Sequence, residues 1–316
     1  MATPKDIPPA DSPALSSDAY HTPVLLKESI EALNIKADGI YVDCTFGGGG
    51  HSSSILKRLD KNGKLFAFDQ DADAKKNVPD DERVVFIPQN FRHLQRFLRL
   101  NKTTQVDGIL ADLGVSSHQF DEAGRGFSIR YNAALDMRMD QRQINTAAEV
   151  LRSFSELQLH KIFEMYGEVT NAKTLAKTIV TQRAVTQIKT INELRQALQG
   201  IVKGNPPKYF AQVFQALRIE VNDELGALKE LLEQVPALLK PGGRVAIITF
   251  HSLEDRLVKN FFKAGTFSEA ASDDVYGGRP HNPLIVITKK PILPGETETK
   301  HNKRSRSAKL RVAEKK

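Results

Sequence analysis

The chain has one cysteine, Cys44, and no tryptophan in 316 residues. A single thiol excludes a disulfide framework and any zinc site built from cysteines, and it fits a reducing compartment, so a cytoplasmic protein is expected. No apolar run approaches the roughly 20 residues of a membrane-spanning helix, and the N-terminus lacks the basic-then-apolar pattern of a signal peptide. No membrane is expected as a partner. Net charge is also scarce over most of the chain. Of the formal +7, residues 300–316 supply the whole excess, with eight Lys/Arg against one Glu. Such a terminus suits a polyanion at one edge of the molecule, although a merely solvated tail is equally common.

What is present is a β-α-β unit between Gly39 and Asp71. An apolar run (Ile40, Tyr41, Val42) ends in Asp43; four glycines (Gly47 to Gly50) lead into His51 and a segment with helical spacing. A second apolar run, Leu65 to Phe68, ends in Asp69. Glycines there let the backbone turn sharply and approach a ligand that any Cβ would block. Asp69 follows at the distance where a strand-end carboxylate accepts from ribose hydroxyls. The spacing is not a clean G-x-G-x-x-G, and no G-K-S/T follows. A carboxylate ahead of the glycines would repel a pyrophosphate but suits a cation. S-adenosylmethionine, with its ammonium, sulfonium and ribose and no phosphate, fits this pattern best; a structural glycine turn is the plain alternative.

Residues 1–19 are rich in Pro, Ala, Ser and Asp without periodicity and read as a disordered leader. Further strands are expected at 83–87, 106–114, 245–250 and 284–288, with a short seventh at 309–312 on the sheet edge. The fourth ends in Asp112, giving three carboxylates (Asp43, Asp69, Asp112) on the rim where open α/β sheets bind ligands. Phe91, at the turn after the third strand, suits an adenine face but is more often core. Residues 115–140 form a long polar-aromatic loop, and from about 144 to 225 the pattern is helical. A helix is expected from Asn222 to Leu239, and another is opened by Ser252 as its N-cap. The fold class is therefore α/β, a Rossmann-like sheet with an inserted helical domain. The expected division is a sheet domain over 20–124 and 226–316, discontinuous around a helical segment over 125–225.

Eight stretches in order resemble the bacterial ribosomal RNA methyltransferases of the MraW/RsmH type: HTPVLLKE (21–28), DCTFGGGGHS (43–52), DGILADLGVSS (107–117), RGFS (125–128), LDMRMD (135–140), FQALRIEVNDEL (214–225), FHSLEDR (250–256) and SRSAKLR (305–311). The resemblance covers nearly everything after residue 20. It implies a class I methyltransferase sheet acting on the N4 amine of a cytosine in 16S ribosomal RNA of the small subunit. By position it also implies S-adenosylmethionine contacts at Gly49, Gly50, His51, Asp69, Phe91, Asp112 and Gln119. His118 stands where the family commonly has proline, and GNPPKYFAQVFQ (204–215) replaces the usual histidine-proline approach to FQALR.

Methylation at a pyrimidine C5 needs a cysteine nucleophile, and Cys44 beside the glycine turn is badly placed for it. An exocyclic amine needs only an acceptor for its hydrogens and in-line placement at the methyl. Asp112 or the loop after it is the expected acceptor, with Asp136, Asp140 and His251 as further candidates for orientation or proton removal. Arg125, Arg138 and Arg218, with the basic C-terminus, are the expected phosphate contacts, each with a plain ion pair as the alternative. No metal is expected. A DNA amino-methyltransferase would carry D/N/S-P-P-Y/F where this chain has Asp112-Leu113-Gly114-Val115, so DNA is not the expected partner. An assembly factor that binds RNA and cofactor without turnover is the reading from another class. Oligomeric state stays open between monomer and homodimer.

Overall fold

The computed structural model describes residues 23–267 and 282–316. The leader, together with His21 and Thr22 of the first motif, lies outside the described residues.

Seven strands form one sheet: β1 (Ile40–Asp43), β2 (Lys64–Phe68), β3 (Val84–Ile87), β4 (Val106–Asp112), β5 (Leu239–Thr249), β6 (Leu284–Val286) and β7 (Lys309–Lys315). Their spatial order is β3-β2-β1-β4-β5-β7-β6. The first five in that order are parallel; β7 runs antiparallel to both β5 and β6. The seventh strand was expected at the edge, and the structure corrects this. It lies between β5 and β6, because Leu310, Val312 and Ala313 are apolar enough to be buried and paired on both sides.

Alternation along the strands supplies two cores, as a sheet covered on both faces requires. Val42, Phe66, Ile109, Val245 and Ile247 face one way, toward the helices α3 (Leu94–Leu100), α10 (Glu224–Leu238) and α11 (Ser252–Ala264). Tyr41, Leu65, Leu110, Ala246 and Ile248 face the other, toward α1 (Leu26–Ala32) and α2 (Gly50–Leu56). After β4 and the short α4 (Ser117–Asp121), the chain leaves the sheet for five helices: α5 (Ala147–Ser153), α6 (Glu156–Met165), α7 (Ala172–Arg183), α8 (Ile191–Leu198) and α9 (Pro206–Asn222). Their buried residues, from Phe127 to Val221, form a hydrophobic cluster of their own. The departing stretch GNPPKYFAQVFQ is a helix start: Asn205 caps the Lys208 N–H, and prolines occupy the first turn, where a missing N–H costs nothing.

Two helix boundaries differ from expectation. The helix assigned from Asn222 begins at Glu224, because Asp223 adopts a left-handed conformation (φ 46°) that separates α9 from α10. The N-cap of α11 is His251 rather than Ser252. The His251 ring accepts from the Glu254 N–H, and the Glu254 carboxylate accepts back from the His251 N–H, a reciprocal box that Ser252 lacks. A last short helix, α12 (Glu296–His301), precedes β7.

Candidate active site

The carboxyl ends of β1, β2, β4 and β5 open into a cavity of about 920 Å³. The glycine turn forms its floor. Gly49 caps α2 with φ 76°, a conformation costly for other residues, and a Cβ on Gly50 would stand 2.2 Å from Pro23 Cγ. Asp43 is buried behind this turn, accepting from Ser52 Oγ (2.7 Å) and Thr45 N–H (3.1 Å). Burial raises its carboxyl above the ordinary range, with His51 and these hydrogen bonds opposing the rise.

Asp69 accepts from the N–H of Gly47 (2.7 Å) and of Asp71 (2.8 Å). Burial nonetheless pushes its carboxyl up to about 6, against those two hydrogen bonds. His51 sits beneath Asp112. Its Nε2 lies 3.2 Å from the Val24 carbonyl, which can only accept, so the neutral ring carries its proton there and leaves Nδ1 bare, 3.8 Å from Asp112 Oδ2. Burial lowers the His51 pKa, which favours that neutral form. Asp112 Oδ1 is buried without a hydrogen-bond partner. Its carboxyl is held well above the ordinary range by burial first, then by the charges of Asp43, Glu254 and Glu298.

All seven residues expected at the cofactor (Gly49, Gly50, His51, Asp69, Phe91, Asp112 and Gln119) line this one cavity. Gln119 is also structural. It closes a capping box with Ser116 at the start of α4, and its Nε2 donates to Asp71 Oδ2 (2.7 Å). Cys44 lines the cavity as well, but burial raises its thiol pKa well above the ordinary value.

The other expected site residues do not reach the cavity. Asp136 forms a two-point ion pair with Arg138 (2.8 and 2.7 Å), and Asp140 one with Arg142 (2.8 and 2.9 Å). His251 stands behind Glu254 as the α11 cap. None of the three arginines expected at phosphates offers a free guanidinium. Arg125 is buried against Asp71 (2.9 Å) and the carbonyls of Arg138 and Met139. Arg138 is spent on Asp136 and on the carbonyls of Gln141 and Gln143. Arg218 grips both oxygens of Glu224 (2.7 and 2.9 Å). In each case a carboxylate two to six residues away, or one brought close by the fold, occupies the guanidinium in a charge-assisted pair.

Several cavity residues were not among those expected at the site. Asn222, at the end of α9, accepts from Met139 N–H (2.7 Å) and donates to the Met137 carbonyl (2.8 Å), clamping the 135–140 loop to the cavity wall. Glu224, Glu254 and Arg304 complete the lining at the far end. Asn222 and Glu224 stand inside the FQALRIEVNDEL stretch and Glu254 inside FHSLEDR, which placed them in motifs but gave none of them a role.

The donor set suits a cationic nucleoside ligand. Asp69 and Asp112 flank the glycine cradle with Asp43 buried behind it, and Asp112 Oδ1 is an acceptor awaiting a partner. With a sheet of order 3-2-1-4-5-7-6, this defines a class I S-adenosylmethionine-dependent methyltransferase. The chain belongs to the MraW methylase family, whose model matches residues 18–316. It is 56% identical over 298 residues to the protein named ribosomal RNA small subunit methyltransferase H of Cytophaga hutchinsonii, covering 93% of this chain and 99% of that one. It is 51% identical to the protein of the same name from Parabacteroides distasonis, covering 94% and 97%. The counterpart from Christiangramia forsetii is 52% identical, covering 94% and 98%.

Proposed function

We propose that this protein methylates the exocyclic N4 amine of a cytosine in 16S ribosomal RNA of the small subunit, in the cytoplasm. The names of its relatives support the ribosomal substrate. The observation that carries the choice of atom is the state of Cys44. The single thiol is buried at the foot of the cavity with its pKa raised, so it is a poor nucleophile for addition to a pyrimidine ring. The cavity instead offers carboxylates, the groups an attacking amine needs as acceptors for its hydrogens.

S-adenosylmethionine supplies the methyl group on a sulfonium. The chain's residues do the remainder. The glycine turn admits the cofactor, with Asp69 placed for ribose hydroxyls and Asp112 for positive charge. A paired cytosine does not fit into such a cavity, so the target base enters unstacked. The helical insertion over 125–225 is proposed to hold the surrounding RNA.

The test is methyl transfer from labelled S-adenosylmethionine to small subunits from cells lacking this protein, with free ribosomal RNA and DNA in parallel. Label recovered as N4-methylcytidine from the ribosomal substrate is the expected result. Label in DNA alone, or cofactor binding without label in any substrate, would overturn it.

A further inference from the structure

The far end of the cavity holds two carboxylates, Asp112 at the tip of β4 and Glu254 in the first turn of α11. β4 and β5 are neighbours, with Asp112 in register with Ile248, and α11 starts just beyond the end of β5. The two acids therefore flank one gap between adjacent strand ends.

Glu254 is held with little freedom. It is 2% exposed, yet it lines the cavity. Its Oε2 accepts from the N–H of Phe250 (2.8 Å) and of His251 (3.3 Å), and its Oε1 lies 3.2 Å from His251 Nε2. Glu224, His251 and Glu254 bring ligand atoms within 4.8 Å of one another, close enough to suggest a metal. The tautomer argues otherwise. His251 Nδ1 accepts from the Glu254 N–H (3.4 Å), which leaves the proton on Nε2 and makes that nitrogen a donor. Both Glu224 oxygens are also taken by Arg218. The cluster is a carboxylate held by two backbone N–H groups and bordered by an imidazole, with a second ion pair beside it.

We infer that Glu254 is a catalytic residue, the carboxylate that accepts from the target amine and takes its proton; this rests on the amino-methylation reading above. In the step, the N4 lone pair forms the new N–C bond as the methyl–sulfur bond breaks. The bonding pair stays on sulfur, and the surplus N4 proton passes to the Glu254 carboxylate. Asp112 is left for the cofactor's positive charge.

The environments of the two acids agree with that division. Burial acts to raise the Glu254 pKa, but His251, Arg218 and the Phe250 N–H outweigh it and hold the group below its ordinary value. Asp112 is displaced in the opposite sense. Two acids whose surroundings drive their pKa values apart divide their roles. The charged or titratable groups around Glu254 are His251 on its own helix cap, Arg218 on α9, Glu224 on α10 and Asp112 on β4.

Glu254→Gln keeps an acceptor for the backbone N–H groups and removes the base. It is expected to slow single-turnover methylation by about 10²–10⁴-fold, the range of a lost general base, with cofactor Kd changed less than about threefold. Glu254→Asp is expected to recover part of the rate. A Gln variant that methylates within about threefold of wild type overturns the inference. If the Gln variant does not fold, the wild-type pH profile decides. At saturating cofactor, a rate that is flat between about pH 6 and 8 supports an acceptor already ionised, and one climbing about tenfold per unit overturns it. The product nucleoside of the wild type separates the two readings. N4-methylcytidine with an unimpaired Gln variant removes only the role of Glu254, whereas label on a ring carbon removes both.

Discussion

Arg125 Nη1 lies 2.9 Å from Asp71 Oδ2, with side chains only 6% and 7% exposed, and the same Asp71 oxygen accepts from Gln119 Nε2 at 2.7 Å. One guanidinium thus ties the loop after β2 to the loop after β4 across the cavity wall. Removing one partner of a buried pair leaves the other charge uncompensated, which costs roughly 3–5 kcal/mol. Arg125→Met is expected to lower stability by about that much in a denaturant titration, and the added change Asp71→Leu should recover part of the loss. A salt-dependent loss of RNA binding with unchanged stability would instead return Arg125 to the phosphate role expected from its sequence motif.

Gly126, next in the chain, explains why this segment reads R-G-F-S. Its φ is 74°, and a Cβ there would stand 2.4 Å from the Ala134 carbonyl oxygen. Gly126→Ala is expected to cost roughly 2–3 kcal/mol: about 1–2 for the left-handed backbone, the rest from displacing a carbonyl. A melting temperature within a degree or so of wild type would show that the turn adapts freely.

The sheet was legible because each buried strand is an apolar run ending in an acid or a turn, and the two-face alternation needs only local sequence. The cofactor end was legible for a related reason. Its residues sit at strand tips and at a glycine turn, where position along the chain implies position in space. The far end was not. Glu254, Asn222 and Arg304 reach the cavity from a helix start, a helix end and the stretch before β7; the first two stand inside family motifs, but nothing in the local pattern says that their side chains face a ligand. For the arginines the sequence left phosphate contact and ion pair open, because a guanidinium in a polar motif reads the same until its carboxylate is seen. Asp136 and Asp140 are the near partners that Arg138 and Arg142 had all along.

Cofactor binding should depend on pH in the mildly acidic range. Asp69 sits at about 6, and Asp43 and Asp112 are also raised in the free protein. A cationic ligand favours the ionised form of each acid, so binding lowers their pKa values and releases protons. Affinity for S-adenosylmethionine is therefore expected to rise from pH 5 to pH 7 as Asp69 ionises through about 6. Calorimetry in two buffers of different ionisation enthalpy would measure the released protons. A constant Kd with no proton release across that range would contradict the carboxylate reading of the site. Asp69→Asn should remove part of the pH dependence while also weakening binding.

With Arg125, Arg138 and Arg218 paired internally, the proposed RNA substrate calls for other cations. The C-terminal segment offers them. Arg304 lines the cavity, packed over the Phe120 ring (4.8 Å) and paired with Asp121, while Lys303 and Arg306 beside it are exposed. An exposed cation that contacts a phosphate contributes through counterion release, so its loss weakens binding and flattens the salt dependence. Lys303→Ala with Arg306→Ala is expected to lower affinity for the small subunit and to reduce the slope of log K against log salt by about 1 for each phosphate contact removed. Cofactor affinity should stay unchanged, since neither residue lines the cavity. Arg138→Ala, by contrast, should leave that slope unaltered, because its guanidinium already holds Asp136. Equal slopes for the wild type and the double variant would move the RNA path away from the segment that precedes β7.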